Sequence, residues 1–306
     1  MHDSDLPNVF VIGAPKCGTT SLFHWLSGHP EICASDPKET YFFADRELDH
    51  LDIRPNHRQN GLPDYLSLFE PVNELTRVKM EGSTHYLYSD PALDFVSEIS
   101  PHPRVIVQLR NPAIRIWSHF NYIKQKATRP IEISFPDYVD AMLSAPEKSF
   151  GNFSHQPWAQ YLLQNQLSYS NYIHHLGRWL DRFQRDHIKI LILEDLSQQK
   201  RRAVQNVAKW IEVDSKYFDD HVFKTVNAAR SRVSNKLRRR IGKYARYFPQ
   251  PVTDTVKTIV DKSLKSFAPK KSTADNDAIA KLEDYFATPN QSLQREFGLD
   301  LSSWRH

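Results

Sequence analysis

The stretch VFVIGAPKCGTTSL, from Val9 to Leu22, combines an apolar run, a glycine-rich turn and the start of an amphipathic segment. A short apolar run bounded by Gly and Pro is typical of a strand buried on both faces. The segment from Thr19 to Leu26 clusters its large apolar residues as one helical face would place them. A strand, a glycine loop and a helix start present free backbone N–H groups and the positive end of a helix dipole to an anion. The stretch therefore predicts a phosphate-binding loop.

The position of the lysine separates this loop from a nucleotide-triphosphate P-loop. That motif reads G-x-x-x-x-G-K-[ST], with the lysine at the helix start and a hydroxyl on Mg²⁺. Here Gly13 and Gly18 keep the spacing, but Thr19 occupies the lysine position and Lys16 lies within the loop. A loop with a cation at its tip and hydroxyl groups behind it can hold a phosphate and a second anionic group without a metal.

The composition indicates a globular enzyme. Of 306 residues, 40% are hydrophobic and 25% charged, and the formal net charge of +4 at pH 7 fits anionic ligands without indicating nucleic acid. The cysteines are Cys17 and Cys33, and one lies in the loop, so a reducing compartment is expected rather than a disulfide. We find no signal-peptide pattern and no run of membrane-spanning length, which predicts a cytoplasmic protein. Without repeats or an obvious linker, residues 1–306 are expected to form a single domain.

Two further segments offer groups for proton transfer. Glu39 precedes a Tyr-Phe-Phe cluster, where apolar walls are expected to raise its pKa and suit it to act as a base. The alternative is a solvated Lys38–Glu39 pair on a surface turn. His85 follows a predicted strand, Val78–Glu81, and ligand-facing groups gather at the C-terminal ends of parallel strands. A purely structural histidine is the alternative for that residue.

A second phosphate-binding pattern begins at Arg110, after the predicted core strand Arg104–Leu109. An Arg at a strand end can donate two hydrogen bonds to a phosphate, or it can hold a helix C-terminus. Ser118 lies about two helical turns further on and can donate to the same group if its helix packs across the ligand. Residues 226–246 are very basic, which is compatible with a solvated helix face, a nucleic-acid surface or an acidic-lipid surface.

These segments resemble sulfotransferases that use 3′-phosphoadenosine 5′-phosphosulfate (PAPS). PKCGTTSL resembles their 5′-phosphosulfate loop, and LRNPAIRIWSHF resembles their 3′-phosphate motif, with Arg110 and Ser118 in matching places. KETYFF resembles the segment that carries the catalytic glutamate of heparan-sulfate-type members, which corresponds to Glu39. The resemblance runs from Val9 to Trp304. It implies an α/β fold with a P-loop-like central parallel β-sheet flanked by α-helices.

The resemblance also implies roles for individual residues. Lys16 would contact the bridging oxygen of the donor, and either Glu39 or His85 would take the acceptor proton. Gly82 replaces a lysine of the family motif E-K-[ST]-P-x-Y. This departure puts in doubt the second cation that, in the family, often assists the transferring group. The implied donor-binding groups are the backbone and side chains of the loop, the second phosphate motif and a basic loop: Lys16, Cys17, Gly18, Thr19, Thr20, Ser21, Arg110, Ser118, Asn227, Arg230 and Arg232.

The predicted function is transfer of a sulfuryl group from PAPS to an acceptor hydroxyl of a small metabolite or sugar, with an amine as the second choice. The product nucleotide is 3′-phosphoadenosine 5′-phosphate (PAP), and we expect no metal, no nucleic-acid partner and no membrane partner. The sequence carries no signal for an oligomeric state. One rival is a P-loop kinase or NTPase, which requires Mg²⁺ and a lysine at position 19. The other is a nucleic-acid-binding protein that uses the basic residues 230–246.

Overall fold

The structure is a computed structural model that describes residues 5–44, 61–99, 101–145, 151–224 and 270–304. Its described strands form one parallel sheet of five, in the order β2-β3-β1-β4-β5. All residues of the central strand β1 are buried, as the apolar run predicts. The predicted fold class, a central parallel sheet flanked by helices, is confirmed. The strands are β1 (Val9–Gly13), β2 (Ile32–Ala34), β3 (Val78–Glu81), β4 (Arg104–Leu109) and β5 (Ile188–Ile192).

The strand register places three functional segments at one edge of the sheet. In the pairing of β1 with β3, Phe10 lies opposite Glu81, and in its pairing with β4, Gly13 lies opposite Val107. Because parallel strands end at the same edge, the segments that follow β1, β3 and β4 emerge side by side. This edge is where ligands bind in open parallel sheets.

Helices cover the sheet and bury its apolar faces. The first helix packs with the helix Lys200–Trp210 against β1 and β3, and their core includes Leu22, Leu26 and Val207. The described α-helices are α1 (Thr19–Ser27), α2 (Leu62–Leu66), α3 (Asp90–Glu98), α4 (Pro112–Lys126), α5 (Phe135–Ser144), α6 (Pro157–Gln164), α7 (Gln166–Ser170), α8 (Tyr172–Leu180), α9 (Leu193–Gln198), α10 (Lys200–Trp210) and α11 (Thr273–Phe297).

The chain divides into two compact units. One comprises residues 1–115, 167–227 and 283–306 and contains the parallel sheet, and the other comprises residues 116–166 and 228–282. The assignment of residues 1–306 to one domain stays a prediction. No helix among the described residues is long and apolar enough to cross a membrane.

Candidate active site

The loop after β1 is shaped to bind an anion. Lys16 has a φ of 70° and Gly18 a φ of 84°, so the chain passes twice through the left-handed region before α1 begins. A Cβ atom on Gly18 would lie 2.6 Å from Leu193 Cδ1, which adds a steric reason for glycine there. No side chain caps the start of α1, and the first N–H groups of a helix have no partner within the helix. The start of α1 therefore leaves uncapped N–H groups, which are the groups that bind anions at helix N-termini.

Not all the N–H groups predicted to bind phosphate remain available. The Cys17 N–H donates to the Ala14 carbonyl at 3.2 Å, and the Ser21 N–H donates to the Gly18 carbonyl at 3.0 Å. No acceptor is found among the described residues for the N–H groups of Gly18, Thr19 and Thr20. These three are therefore the backbone donors that the structure favours.

The side chain of Cys17 is shielded from solvent. It is fully buried, its sulfur lies 3.6 Å from the Tyr172 hydroxyl, and burial raises the pKa of this thiol to about 11. The thiol is therefore neutral at physiological pH and serves to pack the loop. Thr19 and Ser21 are buried, while Thr20 and Lys16 are half-buried.

Arg110 joins the end of β4 to the loop. Its Nη1 donates to the Lys16 carbonyl at 3.5 Å, and its Nε lies 3.9 Å from Glu194 Oε1. The Tyr172 hydroxyl donates to the Arg110 carbonyl at 3.0 Å. The structure therefore brings Lys16 and Arg110 together. Ser118 lies on α4, half-buried, in the second compact unit, and its role stays a prediction.

Glu39 is held at the same edge of the sheet through the segment that follows β3. One of its oxygens, Oε2, accepts hydrogen bonds from the Thr84 hydroxyl at 3.0 Å and from the Tyr41 hydroxyl. A Cβ atom on Gly13 would lie 3.3 Å from the Thr84 carbonyl oxygen. Thr84 thus donates a hydrogen bond to Glu39 and lies beside Gly13, where the loop that follows β1 begins.

Lys38 forms an ion pair with Glu39 inside this site. Its Nζ lies 3.0 Å from Glu39 Oε1 and donates to the Gly82 carbonyl at 2.7 Å, and its side chain is only 12% exposed. A Cβ atom on Gly82 would lie 3.0 Å from Lys38 Cγ and 2.7 Å from Phe23 Cδ2. The space beside Gly82 is therefore filled by Lys38 and by Phe23 of α1.

The predicted rise in the pKa of Glu39 is wrong. Burial does act to raise this pKa, but the charge of Lys38 and the hydrogen bonds from Tyr41 and Lys38 together outweigh it and lower the pKa below its ordinary value. The Lys38–Glu39 pair that the sequence allowed on a surface turn thus exists, but it is largely enclosed. Glu39 is consequently a carboxylate throughout the neutral pH range.

His85 is a neutral imidazole in this environment. It is 8% exposed and lies among the rings of Tyr41, Tyr88 and Tyr169, with centroids about 6 Å away. Burial lowers the pKa of His85 to about 4, against the opposing attraction of Glu39. A neutral imidazole can accept a proton, so the structure leaves both Glu39 and His85 able to act as a base.

A family model described as "Sulfotransferase domain" matches residues 6–276. The chain belongs to this sulfotransferase family. The predicted membership of the sulfotransferase family and the predicted enzyme class are thereby confirmed.

Several relatives of this sulfotransferase carry names that refer to heparan sulfate or carbohydrate. It is 25% identical over 225 residues to bifunctional heparan sulfate N-deacetylase/N-sulfotransferase 1 of Caenorhabditis briggsae, an alignment covering 71% of this chain and 24% of that protein. It is 25% identical over 248 residues to carbohydrate sulfotransferase 15 of Homo sapiens, covering 68% of this chain and 44% of the relative. The chain thus spans about a quarter to a half of the length of these relatives.

A solved structure confirms the fold over the whole chain. The sulfotransferase from Alicyclobacillus acidocaldarius superposes with a TM-score of 0.65 at 20% identity, and the match covers 98% of this chain and 99% of that one. At this identity the likeness concerns the fold alone.

The residues at the loop fit an anionic donor such as PAPS. Gln108, on β4, is fully buried, and neither its amide nitrogen nor its amide oxygen has a hydrogen-bond partner among the described residues. Its Nε2 lies 3.0 Å from the position a Cβ on Gly18 would take. An unpaired buried amide costs about 1–3 kcal/mol, so a partner supplied by a ligand would offset a real penalty. This amide, the uncapped helix and Lys16 together suit phosphate or sulfate oxygens.

Some predicted site residues lie outside the described part of the chain. These are Asn227, Arg230 and Arg232, together with the rest of the basic stretch 226–246. Their roles stay predictions. Within the ranges that the structure describes, no group of three or more His, Cys, Asp or Glu side chains is arranged to hold a metal ion.

Neither the unpaired buried amide of Gln108 nor the enclosed position of Lys38 was predicted from the sequence. A single Gln within the apolar run Val105–Leu109 was a signal available for Gln108, since polar residues are rare in strands buried on both faces. No comparable signal existed for Lys38. A Lys beside a Glu is most often solvated, and its burial depends on Phe23 and Gly82, which are distant in the sequence.

The pH dependence of turnover follows from the two lowered pKa values. Both Glu39 and His85 are unprotonated at neutral pH, and protonation of either begins only as the pH falls toward the range of its pKa. We expect kcat, measured with saturating donor and acceptor, to stay level from pH 8 down to about pH 5.5 and to decline below about pH 5. A decline centred between pH 6 and 7 in the parent would contradict the assignment of either residue as the base.

Proposed function

We propose that this sulfotransferase moves the sulfuryl group of PAPS to a hydroxyl group of a small metabolite or sugar and releases PAP. The proposal rests on the arrangement of residues at the carboxyl ends of the parallel strands. There, Thr84 donates a hydrogen bond to Glu39 and lies beside Gly13, at the start of the loop that carries Lys16. An anion-binding loop for the donor and a group that can take the acceptor proton are two parts that sulfuryl transfer uses.

The chemistry divides between these two parts. The donor supplies a sulfuryl group, and its adenosine bisphosphate leaves with the electrons of the broken S–O bond. Lys16 stabilises the negative charge that grows on the bridging oxygen, and the N–H groups of Gly18, Thr19 and Thr20 bind the 5′-phosphate. Glu39 takes the proton of the acceptor hydroxyl as the acceptor oxygen bonds to sulfur.

A lowered pKa does not prevent Glu39 from acting as the base. The acceptor hydroxyl becomes strongly acidic only while its oxygen is bonding to sulfur, so the proton can move late to a carboxylate of modest basicity. Glu39 is ionised without competing protonation at neutral pH, which is the state a base needs. His85, neutral and near Glu39, is the second candidate for the same step.

Transfer to an amine is the second candidate reaction. It is favoured by the relatives named as heparan sulfate N-deacetylase/N-sulfotransferases. Transfer to a hydroxyl and transfer to an amine can be distinguished with ³⁵S-labelled PAPS and matched acceptors. The acceptors differ only in carrying a hydroxyl or an amine at one position. Label on the hydroxyl compounds alone supports the first proposal, and label on the amines alone replaces it.

Further assays separate the proposed function from its rivals. We propose transfer without Mg²⁺, so label transfer should survive chelation by EDTA. Hydrolysis or transfer from ATP that requires Mg²⁺ would instead support a kinase or NTPase. Tight DNA or RNA binding that weakens steeply with salt, in the absence of turnover, would support a nucleic-acid-binding protein.

We place the enzyme in the cytoplasm, acting on a small-molecule acceptor without a membrane or nucleic-acid partner. Cys17 and Cys33 are both buried and neither forms a disulfide, which fits a reducing compartment. Fractionation of the native host, with detection by an antibody, tests this location.

PAP should stabilise the folded protein. A ligand that binds only the folded state adds about 2.7 kcal/mol at a hundredfold excess over Kd. We therefore expect a higher melting temperature in a thermal-shift measurement with PAP. Adenosine 5′-monophosphate, which lacks the 3′-phosphate, is the matched control and should stabilise less. Equal shifts for both nucleotides would contradict recognition of the 3′-phosphate.

A further inference from the structure

We propose that Glu81 is a positioning residue for Glu39, holding the segment Glu39–Phe43 against the sheet through Thr40 and Ser83. The inference rests on the proposed function, because it takes Glu39 as the base. Nothing in the comparisons assigns a role to this buried carboxylate.

Glu81 is a fully buried acid at the end of β3. Three hydroxyl groups donate to it at short distance: Thr40 Oγ1 at 2.6 Å and Ser83 Oγ at 2.5 Å to Oε1, and the Tyr65 hydroxyl at 2.5 Å to Oε2. The Tyr86 hydroxyl is a further hydrogen-bonding neighbour of this carboxyl group. Among the described residues no Lys or Arg side chain forms an ion pair with it. Burial raises the pKa of Glu81, while the hydroxyl donors act to lower it. Burying a carboxyl group carries a desolvation cost, so its presence calls for a role beyond packing.

Two of the three hydroxyl groups connect Glu81 to the neighbours of Glu39. Thr40 is the next residue in the chain, and Ser83 Oγ accepts the Tyr41 N–H at 2.9 Å. Tyr41 has a φ of 52°, a left-handed conformation that costs a residue with a side chain about 1–3 kcal/mol and persists only when its surroundings hold it. With this backbone, the Tyr41 hydroxyl donates to Glu39 Oε2. Glu81 therefore supports the backbone conformation that places Tyr41 on the base.

The position of Glu81 in the sheet relates Glu39 to the anion-binding loop. Glu81 pairs in register with Phe10 of β1, the strand that leads into the loop with Lys16. A carboxylate fixed on β3 thus sets the distance between the segment that carries the base and the strand that carries the loop. Transfer between two bound groups depends steeply on this distance, since a displacement of about 1 Å can cost about 10²-fold in rate.

The third hydroxyl provides a matched control. Tyr65 donates to the same carboxylate but lies on α2 and donates no hydrogen bond to the segment 39–43 among the described residues. Tyr65→Phe removes one hydrogen bond to Glu81 and keeps the ring that stacks on Phe42. Thr40→Val and Ser83→Ala each also remove one hydrogen bond to Glu81, but they break the connection to Glu39.

The experiment compares kcat and the PAP dissociation constant of the three variants with those of the parent. We expect Thr40→Val and Ser83→Ala to lower kcat by about 10–100-fold with the PAP affinity within about threefold of the parent, and Tyr65→Phe to keep kcat within about threefold. Thr40→Ser restores the hydroxyl and should recover most of the rate lost in Thr40→Val. Equal losses in all three variants, or losses below threefold in both connecting variants, would overturn the inference.

Backbone-amide hydrogen exchange tests the positioning without depending on turnover. The N–H groups of Phe43 and Ala44 donate to the Tyr86 hydroxyl and to the Tyr41 carbonyl, bonds that neither connecting substitution removes directly. Faster exchange at these two amides in Thr40→Val and Ser83→Ala, but not in Tyr65→Phe, supports the inference, and unchanged exchange overturns it. A parent that transfers no label refutes the proposed function alone, because the exchange result still decides whether Glu81 holds the segment.

Discussion

Glu39→Gln is expected to lower kcat by about 10²–10⁴-fold. An amide has the shape of the carboxylate but cannot take the acceptor proton, and general-base catalysis contributes a factor of this size. The amide oxygen can still accept from Tyr41 and Thr84, while the amide nitrogen replaces Oε1 beside Lys38, so the ion pair is lost but two of the hydrogen bonds at position 39 are kept. The measurement is kcat with saturating PAPS and acceptor, alongside the PAP dissociation constant, which should change by less than about threefold.

Two further variants make the result decisive. Glu98→Gln, at an exposed position on α3, makes the same chemical change away from the site and should leave kcat within about twofold of the parent. His85→Asn removes the competing base. If Glu39→Gln keeps the full rate while His85→Asn loses it, then His85 is the base and the assignment of Glu39 is wrong.

Lys16→Met should lower kcat by about 10²–10³-fold. A charge that stabilises the departing group acts only in the transition state, and removing one such donor from a preorganised site costs about this much. Methionine keeps most of the length of the side chain, so the loss reports the charge rather than a cavity. Because the leaving group is the donor nucleotide, kcat should fall more than the affinity for PAP, measured by calorimetry.

Charge and position can be separated for Lys16. Lys16→Arg keeps a cation and should retain more of the rate than Lys16→Met. Lys209→Ala, which removes an exposed lysine on α10, should be silent. A Lys16→Met enzyme within a few-fold of the parent would remove Lys16 from the mechanism.

The elements that carry the site could be predicted where the pattern is local. The alternation of apolar strand, glycine turn and amphipathic helix is complete within Val9–Leu22, and β3 and β4 begin and end at the predicted residues. Arg110 follows β4 directly and His85 lies in the loop after β3, so their placement at the carboxyl edge came from strand direction alone. Each of these inferences needs only residues that are near one another in the chain.

The ionisation state of Glu39 could not be predicted in the same way. From the sequence, the aromatic residues after Glu39 indicated a raised pKa, but Lys38 folds back onto it and Thr84 donates to it from 45 positions away. The sign of the shift is the difference between burial and these contacts, and the contacts exist only once β3 lies beside β1. The unpaired amide of Gln108 and the three donors on Glu81 depend on long-range packing in the same manner.

The amino-acid sequence by itself determined the strands and the glycine turn between β1 and α1, because periodicity and turn chemistry act over a few residues. The resemblance of its motifs indicated the family. Only the tertiary structure decided that Glu39 is an ionised, hydrogen-bonded carboxylate, that His85 is a neutral imidazole and that Thr40, the residue after Glu39, donates a hydrogen bond to Glu81. Ionisation depends on desolvation and on charges within a few ångströms, and those neighbours are chosen by the packing of segments that are far apart in the chain.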